Sequence, residues 1–285
     1  MSHATIRGHR CYYERHGADG PRVLLVMGFG MSGRAWRAQF DDLRSDHQVV
    51  WYDNRGLGGS TAGAGRHDLG SLAADAVALL DHLRWPDAHI VGVSMGGMIS
   101  QHIALNHRAR VRSLALIATH PGGWRMAPTL RGLRLFMRAN TSRGPERLEA
   151  LARLLFSNTH LRDLAAKGWT ADELAAIAVP SDPKVRLGQV RAILGHDTRP
   201  RLPELRGLPT LIVRPGRDML VPPRGSDALA NGIPGASVLD LRSAGHGVAA
   251  EEAARVNAAL RAHFQQADAA QAQRAPTPHQ EERAS

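Results

Sequence analysis

Short apolar runs alternate with longer amphipathic patterns over most of the chain, and this rhythm constrains the fold more than any other feature. The strand-like runs are residues 22–26, 48–53, 89–94, 111–118, 208–214 and 237–241. Strands separated by helices predict a mainly parallel sheet with helices on both faces. Two further runs around Gly8 favour an antiparallel start to that sheet. The predicted fold class is therefore α/β, with a doubly wound sheet.

The alternation is interrupted once, and the interruption divides the chain. Residues 121–205 contain arginine-rich helical patterns and no strand-like run. These patterns predict an insertion made of helices, which we call the helical insertion. Residues 1–120 and 206–265 then form one α/β core. Residues 266–285 are polar and proline-containing, which predicts a disordered tail.

The strongest chemical motif is a G-x-S-x-G sequence that runs from Gly92 to Gly96, with Ser94 at its centre. It lies between a predicted strand and a predicted helix, which is the context of a nucleophile elbow. The sharp turn exposes the serine, and the small neighbours avoid a clash with its backbone. The sequence therefore predicts Ser94 as a nucleophile rather than as a serine in an ordinary glycine-rich turn.

A serine nucleophile needs a base to take its proton and an acid to orient that base. His246 follows the last strand, and Asp218 follows the strand before it, so both are expected at the edge that holds Ser94. His120 also follows a strand and is the alternative base. Three other carboxylates are expected to have ordinary roles in a turn, a helix and a strand, respectively: Asp53, Asp227 and Asp240.

An acyl-transfer site also needs two backbone amides that stabilise a developing oxyanion. One is expected to be the amide of Met95, directly after the nucleophile. The other is expected in the loop MGFG, where the glycines allow the backbone to turn inward, and Phe29 is the predicted donor.

Composition excludes several classes of protein. The single cysteine, Cys11, rules out a disulfide framework, and no spacing typical of metal ligands occurs. The N-terminus lacks the apolar segment of a signal peptide, and no apolar run approaches the ~20 residues of a membrane span. We therefore expect a cytoplasmic protein that has no metal and does not bind membranes.

These motifs together resemble the α/β-hydrolase superfamily over residues 5–265. The segments that carry the resemblance are VLLVMGFG, YDNRGLGGS, HIVGVSMGGMISQHIALNH, LPTLIVRPGRDMLVPP and SAGHG. Within the superfamily, the chain is similar to serine esterases of the polyketide methyl-esterase type and to 3-oxoadipate enol-lactonases. The resemblance implies an eight-stranded sheet with a helical cap over residues 121–205. It also implies a triad of Ser94, His246 and Asp218, oxyanion donors at Phe29 and Met95, and no cofactor.

The sequence departs from the family at Met27, because many relatives have histidine before the oxyanion-loop glycine. Ser94 stands where dehalogenases and epoxide hydrolases would have aspartate, which disfavours those two activities. The expected substrate is a small carboxylic ester or lactone. Hydrolysis of a carbon–carbon bond, perhydrolysis and ligand binding without turnover remain alternatives. The predicted pocket residues are Gly28, Trp36, His120, Trp124 and Phe136.

The net charge of +10, with a pI near 11.0, taken alone suggests a nucleic-acid partner. Aromatic residues are only 5% of the chain, too few for a basic groove with stacking platforms, so no nucleic-acid partner is predicted. Residues 121–215 hold 16 basic and 8 acidic residues, and thus most of the excess. Two interpretations stay open: a solvated surface in an arginine-rich chain, or positive potential that steers an anionic ester or lactone.

Overall fold

The protein forms a single eight-stranded sheet. The computed structural model describes residues 2–17, 19–123, 126–166, 171–179 and 181–274. The strands are β1 (Ser2–Ile6), β2 (His9–His16), β3 (Arg22–Val26), β4 (Gln48–Tyr52), β5 (Ala88–Val93), β6 (Val111–Ile117), β7 (Thr210–Pro215) and β8 (Ser237–Leu241).

The strands lie in the order β1-β2-β4-β3-β5-β6-β7-β8. The pairs β1–β2 and β2–β4 are antiparallel, and every pair from β4–β3 to β7–β8 is parallel. The carboxyl ends of the parallel strands therefore share one edge of the sheet, named the carboxyl edge below. This topology confirms the predicted α/β class and the antiparallel start.

Helices connect the strands and cover both faces of the sheet. They are α1 (Arg37–Leu43), α2 (Leu69–His82), α3 (Met95–Asn106), α4 (Leu130–Thr141), α5 (Gly144–Leu155), α6 (Asn158–Ala166), α7 (Ala171–Ile177), α8 (Pro183–Leu194), α9 (Arg224–Gly232), α10 (Val248–Glu251) and α11 (Ala253–Arg274). Asp68 caps α2, since its side chain accepts a hydrogen bond from the Ser71 amide at 2.8 Å.

Two apolar clusters sandwich the sheet, because successive side chains of a strand point to opposite faces. Along β3, Leu24 and Val26 join a cluster with residues of α2 and α3, whereas Val23 and Leu25 join a cluster with residues of α1 and α11. These four side chains are fully buried. The continuous apolar run in β3 follows from this burial on both sides.

Two predicted boundaries need correction. Leu202 and Leu205, assigned to the helical insertion, are buried in the core cluster that contains residues of α3 and α9, so the chain rejoins the core before residue 205. Helix α11 continues to Arg274, and therefore residues 266–274 are helical rather than part of a disordered tail. Burial of Ala267 and an ion pair of 3.2 Å between Asp268 and Arg112 attach this last part of the helix to the sheet.

The helical insertion connects β6 to β7 and contains α4 to α8, with no strand among its described residues. Across the described part of the chain, no helix has the length and apolarity that a bilayer span requires.

Candidate active site

Ser94 occupies a strained turn between β5 and α3. Its φ is 55° and its ψ is −125°, a combination that L residues rarely adopt. The Ser94 amide donates to the Ile117 carbonyl oxygen at 2.9 Å, and the Thr119 hydroxyl donates to the Ser94 carbonyl oxygen at 2.8 Å. These bonds to β6 and the residues after it hold the turn in place.

The two glycines of the motif are required by close backbone approach. A Cβ atom on Gly92 would collide with the Gly96 carbonyl, and a Cβ atom on Gly96 would collide with the Val26 carbonyl at the end of β3. Helix α3 can therefore start directly behind Ser94. Its amino-terminal end, which carries a partial positive charge, lies next to the serine.

His246 and Asp218 form a buried hydrogen-bonded pair at the carboxyl edge. The His246 Nδ1 donates to the Asp218 Oδ2 at 2.6 Å, and the two residues are 5% and 3% exposed. The other carboxylate oxygen of Asp218 accepts from the amides of Leu220 and Val221, each at 2.8 Å. With its Nδ1 engaged, the imidazole has Nε2 left to take up a proton, which is the arrangement a general base requires.

His120, the alternative base, lies in the same cavity in a different electrostatic state. Its Nδ1 accepts a hydrogen bond from the Gly122 amide at 2.9 Å. The pKa of His120 is lowered to about 4, mainly by burial; the charge of Asp218 opposes this shift, and the positive form of His246 adds to it. The ring is therefore neutral at pH 7 and a weak proton acceptor there.

The loop Met27–Gly30 follows β3 and passes beside Ser94. A Cβ atom on Gly28 would lie 3.1 Å from the Ser94 Cβ, which shows how closely the two backbones approach. The backbone amides of Phe29 and Met95 are the two predicted oxyanion donors. Neither donates a hydrogen bond to another of the described residues. The Met95 side chain is fully buried in the core and does not line the cavity.

Three side chains fix this loop and the residues that follow it, a role that sequence reasoning gave to none of them. The Asp53 carboxylate accepts from the Ser32 hydroxyl and from the amides of Gly33 and Gly59, each at 2.8 Å, in agreement with its predicted turn role. Asn54 donates from Nδ2 to the Met27 carbonyl oxygen at 2.8 Å. Its position directly after a strand end was the available signal.

The third side chain comes from the helical insertion. Gln189 of α8 is fully buried and accepts a hydrogen bond from the Gly30 amide at 3.3 Å. Glu251 has a similar role for the loop that carries His246 after β8. Its carboxylate accepts hydrogen bonds from the Gly245 amide at 3.0 Å and from the Ser157 hydroxyl. Both residues lie within helical patterns, and only tertiary packing brings them to the site.

Ser94 and His246 line one cavity of about 1270 Å³ between the carboxyl edge and the insertion. Four predicted pocket residues line it too: Gly28, Trp36, His120 and Phe136. Trp124, the fifth, lies outside the described residues. The rings of Phe29 and Phe136 lie 5.5 Å apart across the boundary between core and insertion. Further apolar lining residues are Met31, Met98, Met126, Leu133, Met137, Leu151, Leu154 and Val190.

The chain belongs to the family described as the alpha/beta hydrolase fold, whose model matches residues 21–253. Among its relatives is a RutD protein of Azorhizobium caulinodans, whose name proposes a carbamate hydrolase. The two are 32% identical over 249 residues, which cover 84% of this chain and 89% of the relative. A RutD protein of Variovorax paradoxus is 33% identical over 259 residues, covering 87% of this chain and 94% of that protein.

Solved structures share the fold. An enol-lactonase from Burkholderia xenovorans matches with a TM-score of 0.80 and 23% identity, covering 93% of this chain and 100% of the other. A thermophilic esterase from Thermogutta terrifontis matches with a TM-score of 0.78 and 24% identity, covering 94% of this chain and 99% of the other. At these identities the likeness establishes the architecture and not the substrate.

Proposed function

We propose that the protein is a serine hydrolase that transfers the acyl group of a small carboxylic ester or lactone to water. The observation that carries this proposal is a strained Ser94 in the same cavity as a buried His246–Asp218 pair. A serine hydroxyl is a weak nucleophile at its ordinary pKa, so it needs an oriented imidazole that takes its proton, and His246 of the same cavity would have this role.

In the first half of the proposed reaction, the His246 Nε2 takes the proton of the Ser94 hydroxyl as its oxygen attacks the substrate carbonyl. The carbonyl oxygen becomes an oxyanion that accepts hydrogen bonds from the amides of Phe29 and Met95. When the tetrahedral intermediate collapses, the carbon–oxygen bond to the leaving group breaks, and His246 gives its proton to the departing alkoxide. Asp218 stabilises the imidazolium that exists between these two transfers.

In the second half, a water molecule attacks the acyl-serine ester. The same imidazole removes a proton from the water and returns it to the Ser94 oxygen, which releases a carboxylic acid and restores the enzyme.

Carbamate hydrolysis is a second candidate, supported by the names of the relatives that are 32% and 33% identical. A carbamate also presents a carbonyl carbon to the nucleophile, so the same groups could act on it. The two candidates differ in the leaving group and in the substituent on the carbonyl.

The test is a panel of short p-nitrophenyl esters, methyl esters, lactones and carbamates, assayed on wild type and on Ser94→Ala. We expect turnover of an ester or lactone, with a loss of about 10⁴-fold or more in the variant. Turnover confined to carbamates would favour the second candidate. Tight ligand binding without any turnover would contradict both and favour a receptor.

A further inference from the structure

The charged groups that line the cavity are mainly cationic. Arg147 of α5 and Arg186 of α8 line it, with Arg143 exposed beside them. Among the described lining residues, the only carboxylate is Asp197, and it is already paired with Arg199 at 2.7 Å. The cavity therefore has positive charge that no lining carboxylate offsets.

Arg147 and Arg186 differ from two surface arginines of the helical insertion that form ion pairs. Arg138 pairs with Glu146 at 3.0 Å and Arg153 with Glu149 at 2.8 Å, both on the surface. In the part of the chain that the structure describes, no carboxylate lies within 4.0 Å of Arg147 or Arg186.

Backbone carbonyls hold the two side chains instead. The Arg147 guanidinium donates to the Ala178 carbonyl oxygen at 3.1 and 3.2 Å. The Arg186 guanidinium donates to the carbonyl oxygens of Asn140 at 3.2 Å and Ser181 at 3.1 Å. A guanidinium has five N–H donors, so these bonds fix the orientation of each group and leave donors for a ligand.

The two guanidinium groups also act on each other. Burial lowers the pKa of Arg147, and the positive charge of Arg186 lowers it further. An arginine nevertheless stays protonated in proteins, so two like charges line the same cavity at half-buried positions. A carboxylate bound between them would offset this repulsion and form charge-assisted hydrogen bonds.

We propose that Arg147 and Arg186 form a carboxylate-binding subsite, which selects esters or lactones that carry a carboxylate away from the reacting carbonyl. This inference rests on the proposed function and specifies the substrate class of the same site. The subsite lies in the helical insertion, whereas the groups proposed to perform the chemistry lie at the carboxyl edge.

The experiment uses the monomethyl esters of succinate, glutarate and adipate. Each is compared with the methyl ester in which a primary amide replaces the free carboxylate. For the best matched pair, we expect wild type to favour the anionic ester by about ten- to hundredfold in kcat/KM, since a hydrogen bond to a charged group contributes on that scale. Arg147→Gln and Arg186→Gln should remove most of this preference and leave turnover of the neutral ester within about threefold. Arg131→Gln and Arg191→Gln, at exposed positions outside the cavity lining, are the matched controls and should keep the preference.

Equal use of the anionic and neutral esters by wild type would overturn the inference and leave the proposed function standing. Loss of both activities in equal proportion would assign the two arginines a structural role and overturn it as well. If either variant fails to fold, inhibition of wild type decides: a dicarboxylate should inhibit neutral-ester hydrolysis at least about tenfold more strongly than its diamide. Absence of any ester turnover would contradict the proposed function first, and with it this inference.

Discussion

The carboxyl edge of the sheet and the helical insertion hold their cavity-lining groups in different ways. At the edge, backbone bonds fix the proposed reacting groups: two amides hold Asp218, and a β6 carbonyl holds the Ser94 turn. In the insertion, the lining is mainly large apolar side chains and arginines bound to carbonyl oxygens. The comparison indicates that the edge provides reactivity and that the lining of the insertion provides selectivity. Variants at the edge should therefore lower kcat, and variants of the cavity-lining side chains of the insertion should change KM or substrate preference.

The largest contrast is expected between two histidines at the carboxyl edge. His246→Ala should lower kcat about 10³-fold or more, because it removes the proposed base, which is paired with Asp218. His120→Ala should cost less than about tenfold, since a neutral ring with a pKa of about 4 is a poor proton acceptor at pH 7. Steady-state kinetics on the same ester measures both. The reverse ranking would transfer the base role to His120.

The predicted oxyanion loop, Met27–Gly30, tests the comparison between edge and insertion because both regions contribute a side chain that fixes it. Asn54→Ala and Gln189→Ala each remove a side chain that fixes the loop, one from the core and one from the insertion. Both should lower kcat by about tenfold with little change in KM, less than the ~10²–10³ expected for loss of a donor itself. Leu187→Ala, at an exposed position on the same helix as Gln189, is the control and should behave as wild type.

The expected loss of kcat in Gln189→Ala would show that this one side chain of the insertion supports the chemistry through the loop. A kcat equal to that of wild type would contradict the positioning role inferred for Gln189. A change confined to KM in Asn54→Ala would instead contradict the positioning role inferred for the core side chain.

Much of the core could be predicted from the sequence because its strands are buried on both faces and so appear as continuous apolar runs. The bounds of β3 and β8 agree with the prediction, and β5 ends one residue earlier because Ser94 already has a positive φ. Residues that follow strand ends, such as Asp218 and His246, could be placed at one edge from topology alone.

The insertion could be predicted only as helical. The contacts of Gln189 with the oxyanion loop and of Arg147 with a helix terminus depend on how helices pack, which helical periodicity does not specify. The end of α11 was also missed. Its last part is polar in sequence, and the ion pair of Asp268 with Arg112 that attaches it to the sheet is a long-range contact.

The smallest predicted effect concerns stability. Burial lowers the pKa of His196 to about 3 and that of His263 to about 4, one beside the cavity and one in the core, from an ordinary 6.5. Below pH 6.5 the unfolded chain takes up protons that the folded chain does not, so the free energy of unfolding should fall as the pH decreases towards these values. Each histidine contributes up to about 1.4 kcal/mol per pH unit.

His196→Gln and His263→Gln should each make this pH dependence shallower by a similar amount. Urea denaturation at several pH values measures it, with His3→Gln, at an exposed position in β1, as the control. Slopes identical to that of wild type would contradict burial of these rings in the neutral form.

The most direct test of the central claim is covalent labelling of the nucleophile. Wild type treated with a fluorophosphonate probe should gain one adduct, which peptide mass spectrometry should place on Ser94. The Ser94→Ala variant should gain none, although its unfolding by urea should match that of wild type within about 1 kcal/mol. Unchanged labelling of Ser94→Ala, or an adduct on another residue of wild type, would contradict the assignment of Ser94 as the nucleophile.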